Sequence, residues 1–187
     1  MSILDVVEWP AEVLETRAKE VETFDAKFQE FVKNMHETMD HASGIGLAAN
    51  QVGSLDRVMV IYIPHVQSRY EEEQEEKRPW HDVRYTFVNP VITKRSGRMK
   101  GQEGCLSFPE VFDFVERDSE ITVEALNEKG EKFTVEADGL FSVCIQHEID
   151  HLDGVVFFER MSRLKQRNIK KKMLKRQKLV VDGGDSE

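Results

Sequence analysis

Two histidines and a glutamate stand in this sequence at a spacing that suits metal-assisted hydrolysis. His147, Glu148 and His151 fit the pattern H-E-x-x-H. On a helix, residues i and i+4 lie one above the other, so both imidazoles can bind a single divalent ion. Glu148 directly follows the first histidine and can reach a water molecule beside the ion, which is where a general base is needed. The alternative is a surface helix that carries two histidines and an acid by chance.

A third ligand must come from outside this helix. A catalytic ion of this kind takes three protein ligands and keeps one position for water. No histidine follows His151, and the glutamates downstream are Glu159 and Glu187. Cys105 is the best candidate, because Gly104 beside it permits an unusual backbone angle and a Cys-His-His set is a known catalytic combination. The alternative is a buried, inert cysteine.

The same helix carries an apolar stripe ahead of the histidines. Leu140, Val143 and Cys144 share the face of His147 at spacings i, i+3, i+4 and i+7. The stripe is either ordinary core or the apolar wall of a substrate pocket, and the spacing favours neither. Cys144 has no accompanying motif, so by itself it is interpreted as a buried, inert cysteine.

The glycine-rich segment Gly44–Gln51 is predicted to be a loop. It lacks the Lys-Ser/Thr ending of a phosphate loop and is largely apolar. Gly46 would let a substrate backbone approach closely, and the Gln51 amide could donate a hydrogen bond to developing negative charge. The alternative is a helix-to-strand connector with small residues for packing, which the segment taken alone favours.

Local patterns predict the elements that must position these residues. Asp25 is a plausible N-cap for a helix over about 26–41, and the metal helix is predicted over about 139–151, capped by Asp138 and ended by Asp153-Gly154. A turn of helix is predicted at Ala11–Glu15 and a basic helix over 162–178, followed by a frayed Asp182–Glu187. The predicted strands are Val58–Ile63, Tyr85–Val88, Val91–Lys94, Ile121–Leu126, Lys132–Glu136 and Val155–Phe158.

This order of elements predicts an α+β fold, with largely antiparallel strands packed around a central metal-binding helix and a C-terminal helix. A chain of 187 residues with 40% hydrophobic content suits one catalytic domain, 1–187. Residues 64–82, with their acidic run, are predicted to form an inserted surface loop.

The composition of the chain limits the cellular compartment and the binding partners that we expect for it. The longest apolar run, Val58–Ile63, is far shorter than the roughly 20 residues that span a bilayer, and the N-terminus shows no secretory signal. Two cysteines indicate a reducing compartment, so we expect a cytoplasmic protein that contacts no membrane. Residues 1–161 carry 17 Lys+Arg against 32 Asp+Glu, which argues against DNA binding; residues 162–178 carry nine Lys+Arg and no acid, which suits an anionic surface.

Three segments, in order, resemble the three motifs of the peptide deformylase family. They are Gly44–Gln51 (GIGLAANQ), Glu103–Ser107 (EGCLS) and Gln146–Gly154 (QHEIDHLDG). The third motif alone is shared with zinc proteases, but the three together are highly specific. The resemblance is to bacterial-type members and covers about residues 3–175.

The resemblance implies hydrolysis of the formyl group from N-formylmethionyl peptides, with release of formate. It implies that Cys105, His147 and His151 hold the ion and that Glu148 handles protons. Gln51 and the Leu106 backbone N–H would stabilise the oxyanion. The implied substrate-binding residues are Ile45, Gly46, Glu103, Leu140, Val143 and Cys144, the last three as a methionine pocket. Glu103 is also a candidate, with Arg117 and Asp150, for orienting the ligands.

The metal and the partners are less narrowly predicted. One sulfur and two imidazoles favour zinc by softness, whereas the resemblance implies Fe²⁺, with Zn²⁺ or Ni²⁺ able to substitute. The basic helix either packs Leu164, Ile169 and Met173 against the domain or docks on the ribosome.

Three features depart from the common pattern of the family: Phe112 for an arginine near the cleft mouth, Phe141-Ser142 for Leu-Ala, and the 64–82 insertion. A protease that cuts internal bonds and a binding protein with a structural metal are the rival functions.

Overall fold

The fold is α+β, as expected, with three helices and seven antiparallel strands among the described residues. The computed structural model describes residues 2–63 and 83–183. Five strands form one sheet in the order β1-β2-β3-β6-β7, and β4 and β5 form a separate two-stranded sheet. The bounds are β1 Gly46–Ala48, β2 Val58–Ile63, β3 Val83–Ser96, β4 Met99–Cys105, β5 Phe108–Arg117, β6 Glu120–Leu126 and β7 Lys132–Asp138.

Helix α1 (Ala26–His41) forms where its N-cap and apolar spacing predict it. The Asp25 carboxylate accepts a hydrogen bond from the Phe28 N–H at 2.8 Å, which satisfies one of the free donors at the helix start. Its buried face packs in a cluster with β1 and β2, at whose edge Phe31 is half-buried. The predicted turn of helix near Ala11–Glu15 is a short 3-10 helix at Glu12–Glu15.

Strand β3 is one continuous strand where two were predicted. The sequence suggests a break at Asn89-Pro90, and the register with β6 does shift across these residues, between Val88 and Val91, and again between Ile92 and Lys94. Asn89 has a φ of 51°, and its side chain donates to the Val21 carbonyl and accepts from the Val21 N–H, both at 2.9 Å. A β-bulge therefore absorbs the residues that looked like a turn.

The β4–β5 hairpin was not predicted. Strand β4 reads Met-Lys-Gly-Gln-Glu-Gly-Cys, which has neither alternating apolar residues nor strong strand formers. It is held by antiparallel pairing along its whole length, from Met99 opposite Arg117 to Cys105 opposite Phe108. Pairing with β5 thus stabilises a strand whose own residues favour strand formation only weakly. It also places the candidate ligand Cys105 at the end of that strand.

Helix α2 (Gly139–Leu152) lies in the centre of the molecule. Every residue from Phe141 to Leu152 is buried, including its charged and amide side chains. The predicted side-chain cap by Asp138 does not form, and Asp138 is the last residue of β7, where it pairs with Glu120 in the sheet. Leu14, Phe108 and Phe158 belong to a second apolar cluster, separate from the one between α2 and the large sheet.

The segment after α2 differs from its prediction. Val155–Phe158 is not a strand, and a 3-10 helix at Phe157–Arg160 takes its place. The apolar run is buried by packing against Trp9 and Phe108 instead of by a neighbouring strand. Helix α3 spans Arg163–Gly183, longer than predicted, so Asp182 is not part of a frayed tail.

The inserted loop predicted at 64–82 lies outside the described residues, as do residues 184–187. None of the helices in the described part of the chain combines the length and apolar character that a bilayer crossing needs.

Candidate metal centre

The three predicted ligands meet at one point between β4 and α2. Cys105 Sγ, one ring nitrogen of His147 and one of His151 all lie within 4.8 Å of one another. The Cys105 Sγ and His151 Nε2 atoms are 3.1 Å apart. Both histidines are buried and Cys105 is half-buried. One soft sulfur and two imidazoles, converging from distant parts of the chain, suit a divalent transition metal.

The orientation of His147 is set by Glu103. The ring Nδ1 donates to Glu103 Oε2 at 2.8 Å, which leaves Nε2 for the metal site. Arg117 donates to both Glu103 oxygens, through Nε at 2.8 Å and Nη2 at 2.9 Å. Both carboxylate oxygens are therefore engaged behind the ligand. Glu103 therefore contacts His147 as a ligand-orienting group would, which is one of the two roles that the sequence analysis gave it.

The charges of this group extend outward to the surface. Arg117 also donates to Asp150, and half-exposed Arg160 donates to both Asp150 oxygens at 3.1 and 2.5 Å. Burial alone would raise the pKa of Glu103, but hydrogen bonds from Arg117 and His147 outweigh it and lower that pKa to about 2. Arg117 and Asp150 were predicted as candidate partners. Arg160 was not, because no motif marks it.

The candidate base Glu148 is buried beside the ligands. Only 4% of it is exposed, and its Oε2 atom has no hydrogen-bond partner among the described residues. Burial is the main reason that its pKa rises from the ordinary value to about 7. A buried carboxylate oxygen without a protein partner requires another one, such as water or substrate.

Gly46 is required by Glu148 and not only by a substrate. A Cβ at this position would lie 2.5 Å from Glu148 Oε1 and 2.8 Å from Cys144 Sγ. The segment Gly44–Gln51 is not simply the predicted loop, because β1 pairs with β2, with Gly46 opposite Ile61, and Ala49–Val52 forms a 3-10 helix. The glycine lets β1 lie directly against α2.

The predicted methionine-pocket residues lie on α2 ahead of the ligands. Cys144 is buried next to Gly46, and its thiol lies 3.5 Å from the Ile45 carbonyl oxygen. Val143 is buried and Leu140 is half-buried. Ile45 itself is 37% exposed, so its side chain is accessible from outside.

Gln51 is aimed at the ligand cysteine. Its Oε1 accepts a hydrogen bond from the Ala48 N–H at 2.8 Å, and this contact fixes which way the amide faces. Its Nε2 lies 3.5 Å from Cys105 Sγ, as a donor to the sulfur. Leu106 follows Cys105 directly in the tight turn between β4 and β5, so its backbone also lies beside the ligand.

Two of the three departures from the family pattern lie among the described residues, and both make local contacts. The Phe112 ring lies over Gly104, where an added Cβ would approach it to 2.5 Å, and Phe112 is 66% exposed beside the ligand strand. Phe141 stacks with Tyr85 at a centroid distance of 5.7 Å. The Ser142 hydroxyl donates to the Asp118 carbonyl at 2.9 Å, which ties α2 to the β5–β6 connection.

Comparison with known proteins decides the family. The chain matches the family described as polypeptide deformylase over residues 3–167. It is 48% identical to a peptide deformylase of Neisseria gonorrhoeae over 181 residues, which cover 97% of this chain and all of that protein. The chain belongs to the peptide deformylase family.

Solved structures agree with this assignment. A peptide deformylase from Ehrlichia chaffeensis in complex with actinonin matches with a TM-score of 0.84 and 36% identity, covering 94% of this chain and 98% of that one. A peptide deformylase from Legionella pneumophila matches with a TM-score of 0.80, 36% identity and coverage of 96% and 98%. Peptide deformylases are metal-dependent hydrolases that deformylate nascent peptides. The predicted fold, family and enzyme class are therefore confirmed.

We expect Gly46→Ala to impair this deformylase severely. The added methyl group would displace the Glu148 carboxylate, and a shift of about 1 Å can cost about 100-fold in rate. Formate release should fall by that order while bound metal stays near the wild-type level. Adding Cys144→Ala removes the sulfur contact alone and should not restore activity. Wild-type turnover by Gly46→Ala would contradict this account of the glycine.

Glu103→Gln should weaken metal binding. The amide can still contact His147, but it cannot neutralise Arg117, so the ligand loses its charged partner. Loss of such a partner typically costs about 10–100-fold in metal affinity, measurable by competition with a chelator. Glu116→Gln, at an exposed position of the same hairpin, is the matched control. Equal affinities of the two variants would show that Glu103 does not support the ligand.

Proposed function

We propose that the site removes the formyl group from N-formylmethionyl peptides and releases formate, with Cys105, His147 and His151 as metal ligands and Glu148 as the catalytic carboxylate. One observation carries the proposal: the unpartnered Oε2 of buried Glu148 lies beside a converging set of one sulfur and two imidazoles. A carboxylate so placed can accept a proton from a water molecule that attacks a carbonyl carbon.

A divalent ion on these three ligands would polarise the formyl carbonyl and lower the pKa of the attacking water. Ligand softness favours Zn²⁺, and the family resemblance favours Fe²⁺. We propose Fe²⁺ as the physiological ion, with Zn²⁺ or Ni²⁺ able to substitute.

Glu148 transfers the proton in both halves of the reaction. It accepts a proton from water as the oxygen attacks the formyl carbon, and it donates that proton to the amine nitrogen as the C–N bond breaks. The products are formate and a peptide with a free N-terminus. Because Glu148 is buried next to His147, exchange of this proton with bulk solvent is limited.

Gln51 and Leu106 supply hydrogen bonds to the oxyanion. The Gln51 amide is already turned toward the site by the Ala48 N–H, so little reorganisation is needed. The Leu106 backbone N–H would donate a second hydrogen bond to the oxyanion from the end of β4. Removal of one such donor from an oxyanion hole costs about 3–4 kcal/mol of transition-state stabilisation.

The substrate would bind beside Ile45 and Gly46, with its first side chain directed to the apolar face of α2. Ile45 and Gly46 would contact the peptide backbone, and Leu140, Val143 and Cys144 would receive the methionine side chain. Because the Ehrlichia chaffeensis deformylase was solved with actinonin, we expect that compound to occupy this site as well. A protease that cuts internal bonds is less well supported, since no third ligand follows His151 in the sequence.

Two features support a reaction on nascent chains in the cytoplasm, with the ribosome as a partner. Both cysteines are free, as in a reducing compartment. On α3, Ile169 and Met173 are buried against the domain. The opposite face of the helix exposes five basic residues: Arg163, Arg167, Lys171, Lys175 and Lys178. Such a row suits the phosphate backbone of RNA.

Glu148→Gln should abolish formate release without loss of metal. The variant keeps the side-chain volume but cannot accept the proton. Wild type and variant are purified anaerobically with Fe²⁺, their metal content is measured, and both are assayed with formyl-Met-Ala-Ser. Wild-type-like turnover by the variant would refute the role of Glu148. Release of no formate by the iron-loaded wild type would refute the function itself.

Charge reversal on the exposed face of α3 should weaken ribosome binding. We expect Arg167→Glu, Lys171→Glu and Lys175→Glu together to reduce co-sedimentation with ribosomes at low salt, with turnover of a short formylated peptide retained. The control set, Lys27→Glu, Lys33→Glu and Lys129→Glu, makes the same change in net charge at exposed positions elsewhere. Equal co-sedimentation of the two sets would count against docking through α3.

A further inference from the structure

The N-terminal segment makes backbone hydrogen bonds to both sides of the proposed oxyanion site. The Val7 N–H donates to the Gln51 carbonyl at 2.8 Å, and the Trp9 N–H donates to the Ser107 carbonyl at 3.1 Å. Gln51 is one proposed oxyanion donor, and Ser107 directly follows the other, Leu106. The segment Val7–Trp9, here called the N-terminal clamp, therefore bridges two segments that lie more than 50 residues apart in sequence.

The two bridged segments have little other direct connection by hydrogen bonds. Among the described residues, the hydrogen bond between them is the long contact from Gln51 Nε2 to Cys105 Sγ at 3.5 Å. That contact is weak, and it involves atoms that the reaction itself needs. The clamp bonds instead to the backbone carbonyls of Gln51 and Ser107, so it can hold the two segments without using the side-chain atoms of the site.

The clamp is itself well anchored. Trp9 is 6% exposed, and its ring packs on Phe108 and Phe158 at centroid distances of 6.4 and 6.1 Å. Upstream, the Leu4 N–H donates to the Thr38 hydroxyl of α1 at 2.9 Å. The chain is therefore anchored at Trp9 and, three residues before Val7, at Leu4. A clamp that is anchored in this way can fix the distance between the two segments that it contacts, instead of moving with them.

We propose that the N-terminal clamp is a positioning device that sets the separation between the Gln51 amide and the Leu106 N–H. The proposal rests on the oxyanion roles given above. Oxyanion donors act by being oriented before the reaction, so a small change in their spacing lowers the rate of the chemical step more than it lowers ground-state binding. Val7 acts through Gln51 and is thus a positioning residue.

Replacing Val7 tests the clamp directly. Val7→Pro removes the donated N–H and should lower kcat by about tenfold or more, with KM within about twofold and metal content unchanged. Val7→Ala keeps the N–H and should lower thermal stability instead of kcat. Asp5→Pro is the matched control, because in the described part of the chain the Asp5 N–H makes no hydrogen bond. Wild-type kcat in folded Val7→Pro would overturn the proposal.

A double-mutant cycle with Gln51→Ala identifies the path of the effect. If the clamp works through Gln51, Val7→Pro should cost much less in the Gln51→Ala background than in wild type. An equal cost in both backgrounds would overturn the clamp proposal alone. Wild-type kcat in Gln51→Ala would overturn the oxyanion role of Gln51 and the clamp with it. If Val7→Pro folds poorly, the cycle is run with an ester at residue 7, which also lacks the N–H.

Discussion

The active site depends on keeping a charged cluster intact inside the protein. Glu103, Arg117 and Asp150 are all buried behind His147, and an unpaired charge at that depth would be costly. Each carboxylate is met by a guanidinium, and Glu103 Oε2 accepts from both Arg117 and the His147 ring. The cluster fixes the ring orientation, so the nitrogen that faces Cys105 is set before any ion arrives.

Helix α2 shows how far this constraint extends. Most of its buried polar side chains have protein partners: Gln146 bonds to the Asp118 backbone, and Asp150 bonds to two arginines. Among the described residues, its buried side-chain atoms without a partner belong to Glu148 and His151. The free Oε2 of Glu148 lies where the chemistry takes place, whereas the free Nδ1 of His151 is the ring nitrogen opposite the Nε2 atom that lies near Cys105. Cys105 and Gln51 complete the site from β4 and the segment after β1.

Much of the architecture could be predicted from local pattern, and the errors have physical causes. Helix α1 and strand β2 were predicted with the observed bounds, because a side-chain cap and an uninterrupted apolar run are encoded by adjacent residues. Strand β4 was missed because its stability comes from pairing with β5. Val155–Phe158 was assigned to a strand because an apolar run does not say which neighbour will cover it.

The sequence by itself determined the chemical groups: two histidines one helical turn apart, an acid beside the first, and a cysteine in a second motif. Residue type and short-range spacing are local properties, and a helix converts them directly into geometry. Only the tertiary structure decided that Glu103 contacts His147, that Gly46 makes room for Glu148, and that Val7 bonds to Gln51. These relations join residues far apart in the chain, whose distances are fixed by packing and pairing and not by spacing in the sequence.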